Sequence, residues 1–176
     1  MRTWRTRTWR TGLCAGAALL MLSGISAADT VKVGVIGVFS GGFARWGEQF
    51  KQAIEVYQKQ NGDSVNGNKI EVLYRDAGGP DPAKSRQLAE ELILREKVQF
   101  LGGFAFTPNA LSVAQLVTES KVPTILFNAA TAVATRRSPY FVRVSFTLPQ
   151  DTAPVAEWAP KNGIKRVVVL VSDYAP

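Results

Sequence analysis

The sequence predicts an α/β chain built on an open, doubly wound parallel sheet, and three observations carry that prediction. Short β-rich apolar runs alternate with segments whose apolar residues recur at helical spacing. The order strand, helix, strand, helix, strand, helix, strand calls for right-handed crossovers between parallel strands. Glycine, proline and small polar residues close each run.

Residues 1–28 precede the first of these elements and read as an export leader. Arg2, Arg5, Arg7 and Arg10 start it, an apolar run from Leu13 to Leu22 follows, and Ser26-Ala27-Ala28 stand before Asp29 as a cleavage site after Ala28. The apolar run is shorter than the roughly 20 residues of a bilayer-spanning helix, so the leader is expected to be removed and not retained as an anchor. Its arginines are never adjacent, which points away from a twin-arginine signal. Cys14 lies ahead of most of the apolar run, not behind it as a lipid-modified cysteine would.

Val31-Lys32-Val33-Gly34-Val35-Ile36-Gly37-Val38-Phe39 then reads as a strand buried on both faces, ended by Ser40-Gly41-Gly42. Phe50, Ala53, Ile54 and Tyr57 share a helical face in the segment that follows. Asn66-Gly67-Asn68 turns into a strand from Lys69 to Asp76. Gly78-Gly79-Pro80 breaks the chain, and Asp81 as N-cap with Pro82 at the first helical position opens a second helix with Leu88, Ala89, Leu92 and Ile93 as its stripe. A strand from Val98 to Leu101, a helix from Asn109 to Ser120 and a strand from Val122 to Phe127 complete the series, giving a sheet covered on both faces.

Beyond Phe127 the rhythm changes. Small residues and loop formers fill Asn128 to Pro139, then a strand from Tyr140 to Val144, a helix from about Thr152 to Lys161 and a strand from Arg166 to Val171 follow. That last helix and strand lack partner strands, so we expect an N-terminal α/β lobe over 29–145 and, over 146–176, a crossover with the start of a second similar lobe that is cut short.

Composition excludes several functions. The formal net charge is +7, but setting aside the four leader arginines leaves 17 of the 21 basic residues against 14 acidic ones, an ordinary balance that gives no reason to expect a nucleic-acid partner. Histidine is absent and Cys14 is the only cysteine, so residues 29–176 hold no imidazole base, neither of the commonest zinc ligands and no Ser-His or Cys-His triad. A Gly-x-Ser-x-Gly elbow is also missing. The sequence therefore predicts no catalytic residue, no metal and no cofactor.

Ligands of open parallel sheets bind beyond the carboxyl ends of the strands. Four segments fall there: Ser40 to Trp46, Gly102 to Asn109, Asn128 to Ala132 and Ser172 to Tyr174. Amides of the first could face an anion, or its glycines could serve turn geometry alone; Trp46 either packs on the sheet edge or lines a cleft. Thr107 is either the N-cap of the third helix or a hydroxyl that meets a carboxylate at the helix's positive end. Asn128-Ala129-Ala130-Thr131 offers amides, carbonyls and one hydroxyl beneath small side chains.

Taken together, the leader, the strand ending in Ser40-Gly41 with Trp46-Gly47 behind it, Gly67-Asn68-Lys69, Asp76, Gly102-Gly103, Ala129-Ala130-Thr131 and Ser172-Asp173-Tyr174 resemble the branched-chain amino-acid-binding (Leu/Ile/Val-binding) proteins of bacterial ATP-driven importers. The resemblance spans residues 31–176. It implies a type I periplasmic binding fold, two doubly wound lobes that close on a ligand, and a periplasmic location. It further implies that Thr107 meets the ligand carboxylate, that Ala130 and Thr131 offer it amides, that the Ala129 carbonyl and Thr131 hydroxyl take an ammonium, and that Trp46 and Tyr174 form aromatic walls from opposite lobes. The implied partners are a small carboxylate-bearing solute and an inner-membrane permease. A sensor of the same fold with an amide or aromatic acid as ligand, and an exported α/β enzyme, are the other readings the residues leave open.

Overall fold

A computed structural model describes residues 29–170; the leader, Val171 and the segment Ser172–Tyr174, with its Tyr174 wall, lie outside the described residues. The sheet holds β1 (Thr30–Gly37), β2 (Ser64–Val65), β3 (Asn68–Asp76), β4 (Phe100–Gly103), β5 (Thr124–Leu126) and β6 (Phe141–Arg143). Their order is β2-β3-β1-β4-β5-β6. Every pairing is parallel except β2 with β3.

That exception comes from the Asn66-Gly67 turn. Both residues have positive φ, 50° and 82°, which matches the twist of a two-residue hairpin. The short β2 is therefore folded back onto β3 before the parallel series continues, a feature the apolar runs do not reveal because β2 is exposed.

Among the described residues, α1 (Ala44–Asn61), α2 (Pro82–Glu90) and α3 (Thr107–Ser120) connect strands, and α4 (Leu148–Lys161) follows β6. As expected, α2 is capped by Asp81, whose carboxylate accepts the Lys84 amide at 2.9 Å, with Pro82 at the first position. It continues into a π-helical turn, Glu91–Arg95. Ala89 and Leu92 of this segment are fully buried with Ile36, Leu101, Val113 and Leu126 in one core. Gly34 belongs to the same face, since a side chain there would meet Leu92 and Leu101.

The opposite face of the sheet is different. There, among the described residues, α1 alone faces the strands, and it leaves an apolar groove of about 690 Å³ whose lining includes Val33, Val35, Ile54, Ile70 and Phe127. Cover on both faces is thus complete only on the α2–α3 side.

Two further boundaries differ from expectation. Helix α4 starts at Leu148, not near Thr152, because Thr147 and Gln150 form a capping box: Thr147 Oγ1 accepts the Gln150 amide at 3.4 Å and Gln150 Oε1 accepts the Thr147 amide at 2.8 Å. No strand forms at Arg166: residues 164–170 are irregular, and Val167 to Leu170 are largely exposed. A strand needs a neighbour for its amides and carbonyls, and no described strand lies alongside.

From β1 the chain passes through α1 to β3 on one side, and from β4 it passes through α3 to β5 on the other. The two loops that leave the carboxyl ends of β1 and β4 therefore diverge side by side. Such a switch point is where open parallel sheets place their ligands.

Candidate functional site

The β1–α1 loop is pinned before it reaches the switch point. Gly47 donates its amide to the Val38 carbonyl at 3.1 Å, and a Cβ on Gly47 would stand 2.1 Å from that oxygen. Only glycine allows this approach. It fixes the first turn of α1 against the end of β1 and with it the position of Trp46.

Trp46 meets two phenylalanines there. Its ring centroid lies 5.9 Å from Phe43 and 5.4 Å from Phe106, and Phe43 and Phe106 meet edge to face at 5.1 Å. Phe106 is buried, whereas Trp46 and Phe43 are 38% and 46% exposed. Trp46 thus belongs to one aromatic platform, packed from beneath by the β4 loop and open on top.

The β4–α3 loop reaches that platform through a strained turn. Gly103 has φ +107°, and a side chain on it would meet the Ile36 carbonyl at 2.2 Å; Phe104 follows at φ +66°. The N-cap of α3 is Phe106, with no side-chain cap bond, and Thr107 already lies in the first helical turn at 1% exposure. The reading of Thr107 as N-cap is therefore corrected: Phe106 holds the extended backbone of the capping position, and Thr107 is drawn into the helix with Pro108 behind it.

The β5 loop docks onto the same segment. The Ala105 carbonyl accepts the Asn128 side-chain amide at 3.0 Å and the Ala129 amide at 3.4 Å. Ala129 is fully buried with φ +42°, and its carbonyl accepts from Arg143 Nη1 at 3.0 Å. Ala130 and Thr131 are half-buried. Among the sequence-predicted residues, Trp46, Thr107, Ala129, Ala130 and Thr131 are thus brought to neighbouring loops through Phe106 and Ala105; Tyr174 is outside the described residues.

A carboxylate ties the far side of the site. Asp76 accepts the Phe39 amide at 2.7 Å, the Gly78 amide at 2.8 Å and the Ser40 hydroxyl at 2.5 Å, joining the ends of β1 and β3. Burial pushes the Asp76 carboxyl up, but those three donors and the nearby Lys84 charge outweigh it and hold its pKa below the ordinary value. Asp76 is a fastening for the β1 loop, and three of the roughly four acceptor positions of its carboxylate are engaged.

Sequence reasoning missed Phe43 and Arg143. Phe43 sits in the glycine turn Gly41–Phe43, where no periodicity applies. Arg143 could have been found: in β6 Phe141 is buried and Val142 exposed, so the two-residue alternation turns Arg143 back toward the Phe141 side. Among the described residues no cluster of three or more His, Cys, Asp or Glu could hold a metal ion.

Residues 30–176 match the periplasmic binding protein family. The chain is 45% identical over 164 residues to the Leu/Ile/Val-binding protein homolog 6 of Brucella abortus (strain 2308), an alignment covering 93% of this chain and 42% of the relative. It is 50% identical to a solute-binding protein of an ABC transporter from R. palustris, solved in complex with 4-hydroxybenzoate, with a TM-score of 0.82 over 84% of this chain and 40% of that one. A second such protein, from Rhodopseudomonas palustris BisB5 in complex with 3,4-dihydroxybenzoic acid, is 49% identical with a TM-score of 0.81 and the same coverage. The chain spans about two fifths of the length of these relatives. With a parallel sheet, diverging loops at its switch point and a match along its length, the chain belongs to the periplasmic binding protein family, and its sheet is that of a type I lobe.

Proposed function

We propose that residues 29–145 form the first lobe of an extracytoplasmic solute-binding protein that delivers an aromatic carboxylate, of the 4-hydroxybenzoate kind, to a membrane permease. The observation that carries this reading is the pairing of two surfaces across Ala105: an aromatic platform of Phe43, Trp46 and Phe106 on one side and the amides of Ala130 and Thr131 on the other. The platform suits a flat ring, which stacks or packs edge-on over aromatic side chains. The amides and the hydroxyls of Thr107 and Thr131 suit a carboxylate, and closure by a second lobe would bury both ends of the ligand.

An aliphatic amino acid fits less well. Its ammonium would be taken by the Ala129 carbonyl, and that oxygen already accepts from a guanidinium whose positive charge repels a second cation. The ligands of the R. palustris relatives support the aromatic reading. The name of the Brucella relative supports the amino-acid one.

Export through a leader cleaved after Ala28 and a periplasmic location belong to the same proposal. The test is calorimetric titration of the two-lobe protein with 4-hydroxybenzoate, benzoate, leucine and isoleucine. Micromolar or tighter binding of the aromatic acids, with weaker binding of leucine and isoleucine, is expected; the reverse order would return the site to amino acids.

A further inference from the structure

The loop that presents the ligand amides is held to the end of β6 and the crossover by its carbonyls, besides the bonds that Asn128 and Ala129 donate to the Ala105 carbonyl. Ser145 Oγ donates to Asn128 O at 2.8 Å, Arg143 Nη1 to Ala129 O at 3.0 Å, the Leu148 amide to Ala130 O at 2.9 Å, and Arg143 Nη1 again to Thr131 O at 2.6 Å. Four successive carbonyl oxygens are thus engaged by one segment, the end of β6 and the crossover into α4. Their amides behave differently. Those of Ala130 and Thr131 donate to no acceptor among the described residues.

We propose that Arg143 is a positioning residue for carboxylate recognition: by gripping the carbonyls on either side of Ala130, its guanidinium keeps the 128–131 loop in the conformation whose amides face the ligand, and makes the Ala130 amide a better donor. This deepens the function proposed above and rests on it.

Two physical effects support the role. Ala129 occupies the left-handed region at φ +42°, which costs an alanine energy that a free loop would relieve. Bonds to the flanking carbonyls hold it there, and the charged donor makes them stronger than neutral ones. The second effect is electronic. The Ala129 carbonyl and the Ala130 N–H belong to one peptide group, so a cation on that oxygen draws electron density from the N–H and strengthens its hydrogen bond to an anion. The Leu148 amide does the same, more weakly, for the Thr131 N–H through the Ala130 carbonyl. Because Arg143, Ser145 and Leu148 precede or open α4, ligand affinity and the path of the crossover are coupled at this loop.

An Arg143 that only ties β6 to the β5 loop would give stability and leave affinity alone, and that difference is the test. In the two-lobe protein, Arg143→Met and Arg143→Lys are compared with the wild type by calorimetric titration with 4-hydroxybenzoate, by thermal melting and by ¹⁵N–¹H spectra with the Ala130 and Thr131 amides assigned. Arg143→Met is expected to bind about ten- to thirtyfold more weakly, with Arg143→Lys recovering part of the loss. The Ala130 amide proton is expected to move upfield in both variants before ligand is added. Should Arg143→Met fail to fold, Arg143→Lys carries the same comparison with a smaller expected loss of about fivefold. Affinities within twofold of wild type, together with unmoved Ala130 and Thr131 resonances, would overturn the positioning role while leaving the proposed function standing. A wild-type protein that takes no aromatic carboxylate would overturn the function itself.

Discussion

Trp46 and Phe106 meet with ring centroids 5.4 Å apart, one on the first turn of α1 and the other at the start of α3. The chain reaches these two positions from opposite sides of the switch point between β1 and β4, so their contact joins the two loops there. Because Phe106 is buried beneath and Trp46 is partly open above, the pair divides the work. Phe106 supports the platform, and in the function proposed above Trp46 faces the ligand.

Trp46→Ala should therefore weaken 4-hydroxybenzoate binding more than it lowers stability. Loss of one aromatic face corresponds to about 0.5–1.5 kcal/mol beyond area burial, so a fall in affinity of roughly three- to tenfold is expected by calorimetry. Phe106→Ala removes a buried side chain and should cost about 3–5 kcal/mol in denaturant melts.

Gly47→Ala tests how the platform is held. The added methyl would stand 2.1 Å from the Val38 carbonyl oxygen, which is backbone and moves only if β1 or α1 shifts. Overpacking of this kind costs about 1–3 kcal/mol. Urea unfolding should show the loss, and the tryptophan emission should change as Trp46 is displaced. Gly42→Ala, in the same loop and with nothing near its added Cβ, serves as the control and should be close to neutral.

Much of this arrangement is legible in the sequence, and the exceptions have physical reasons. The apolar runs and the Asp81-Pro82 start of α2 are local signals, and the structure keeps them. The glycine turn hides Phe43 because loops carry no periodicity. The strand expected at Arg166 depended on a ladder partner that the local sequence does not contain. The position of Thr107 was ambiguous from spacing, since cap and first-turn residues look alike when a proline follows; the extended backbone of Phe106 decides it.

With Thr107 inside the helix and 1% exposed, Thr107→Val should not act through capping. If its hydroxyl meets the ligand carboxylate, affinity falls by about 1.5–3 kcal/mol, or roughly ten- to a hundredfold, with Thr107→Ser mild. Thr131→Val is expected to behave alike. Unchanged affinity in both valine variants would remove these hydroxyls from the site.

Asp76 gives the pH dependence a sign. Its folded-state pKa is lowered from 3.8, so the carboxylate stabilises the fold at every pH above that ordinary value, and this contribution is lost as pH falls through the lower folded-state value. Asp76→Asn should flatten the acid limb of stability measured between neutral pH and pH 3. Ser40→Ala removes one of the three donors and should move that limb toward higher pH.

The most direct measurement is a crystal structure of the two-lobe protein with 4-hydroxybenzoate. The ring should lie on Trp46 with Phe43 and Phe106 at its edge, and the carboxylate should accept from the Ala130 and Thr131 amides within hydrogen-bond distance. Density for the ligand in the apolar groove between α1 and the sheet, with the switch-point loops untouched, would contradict the assignment of the site.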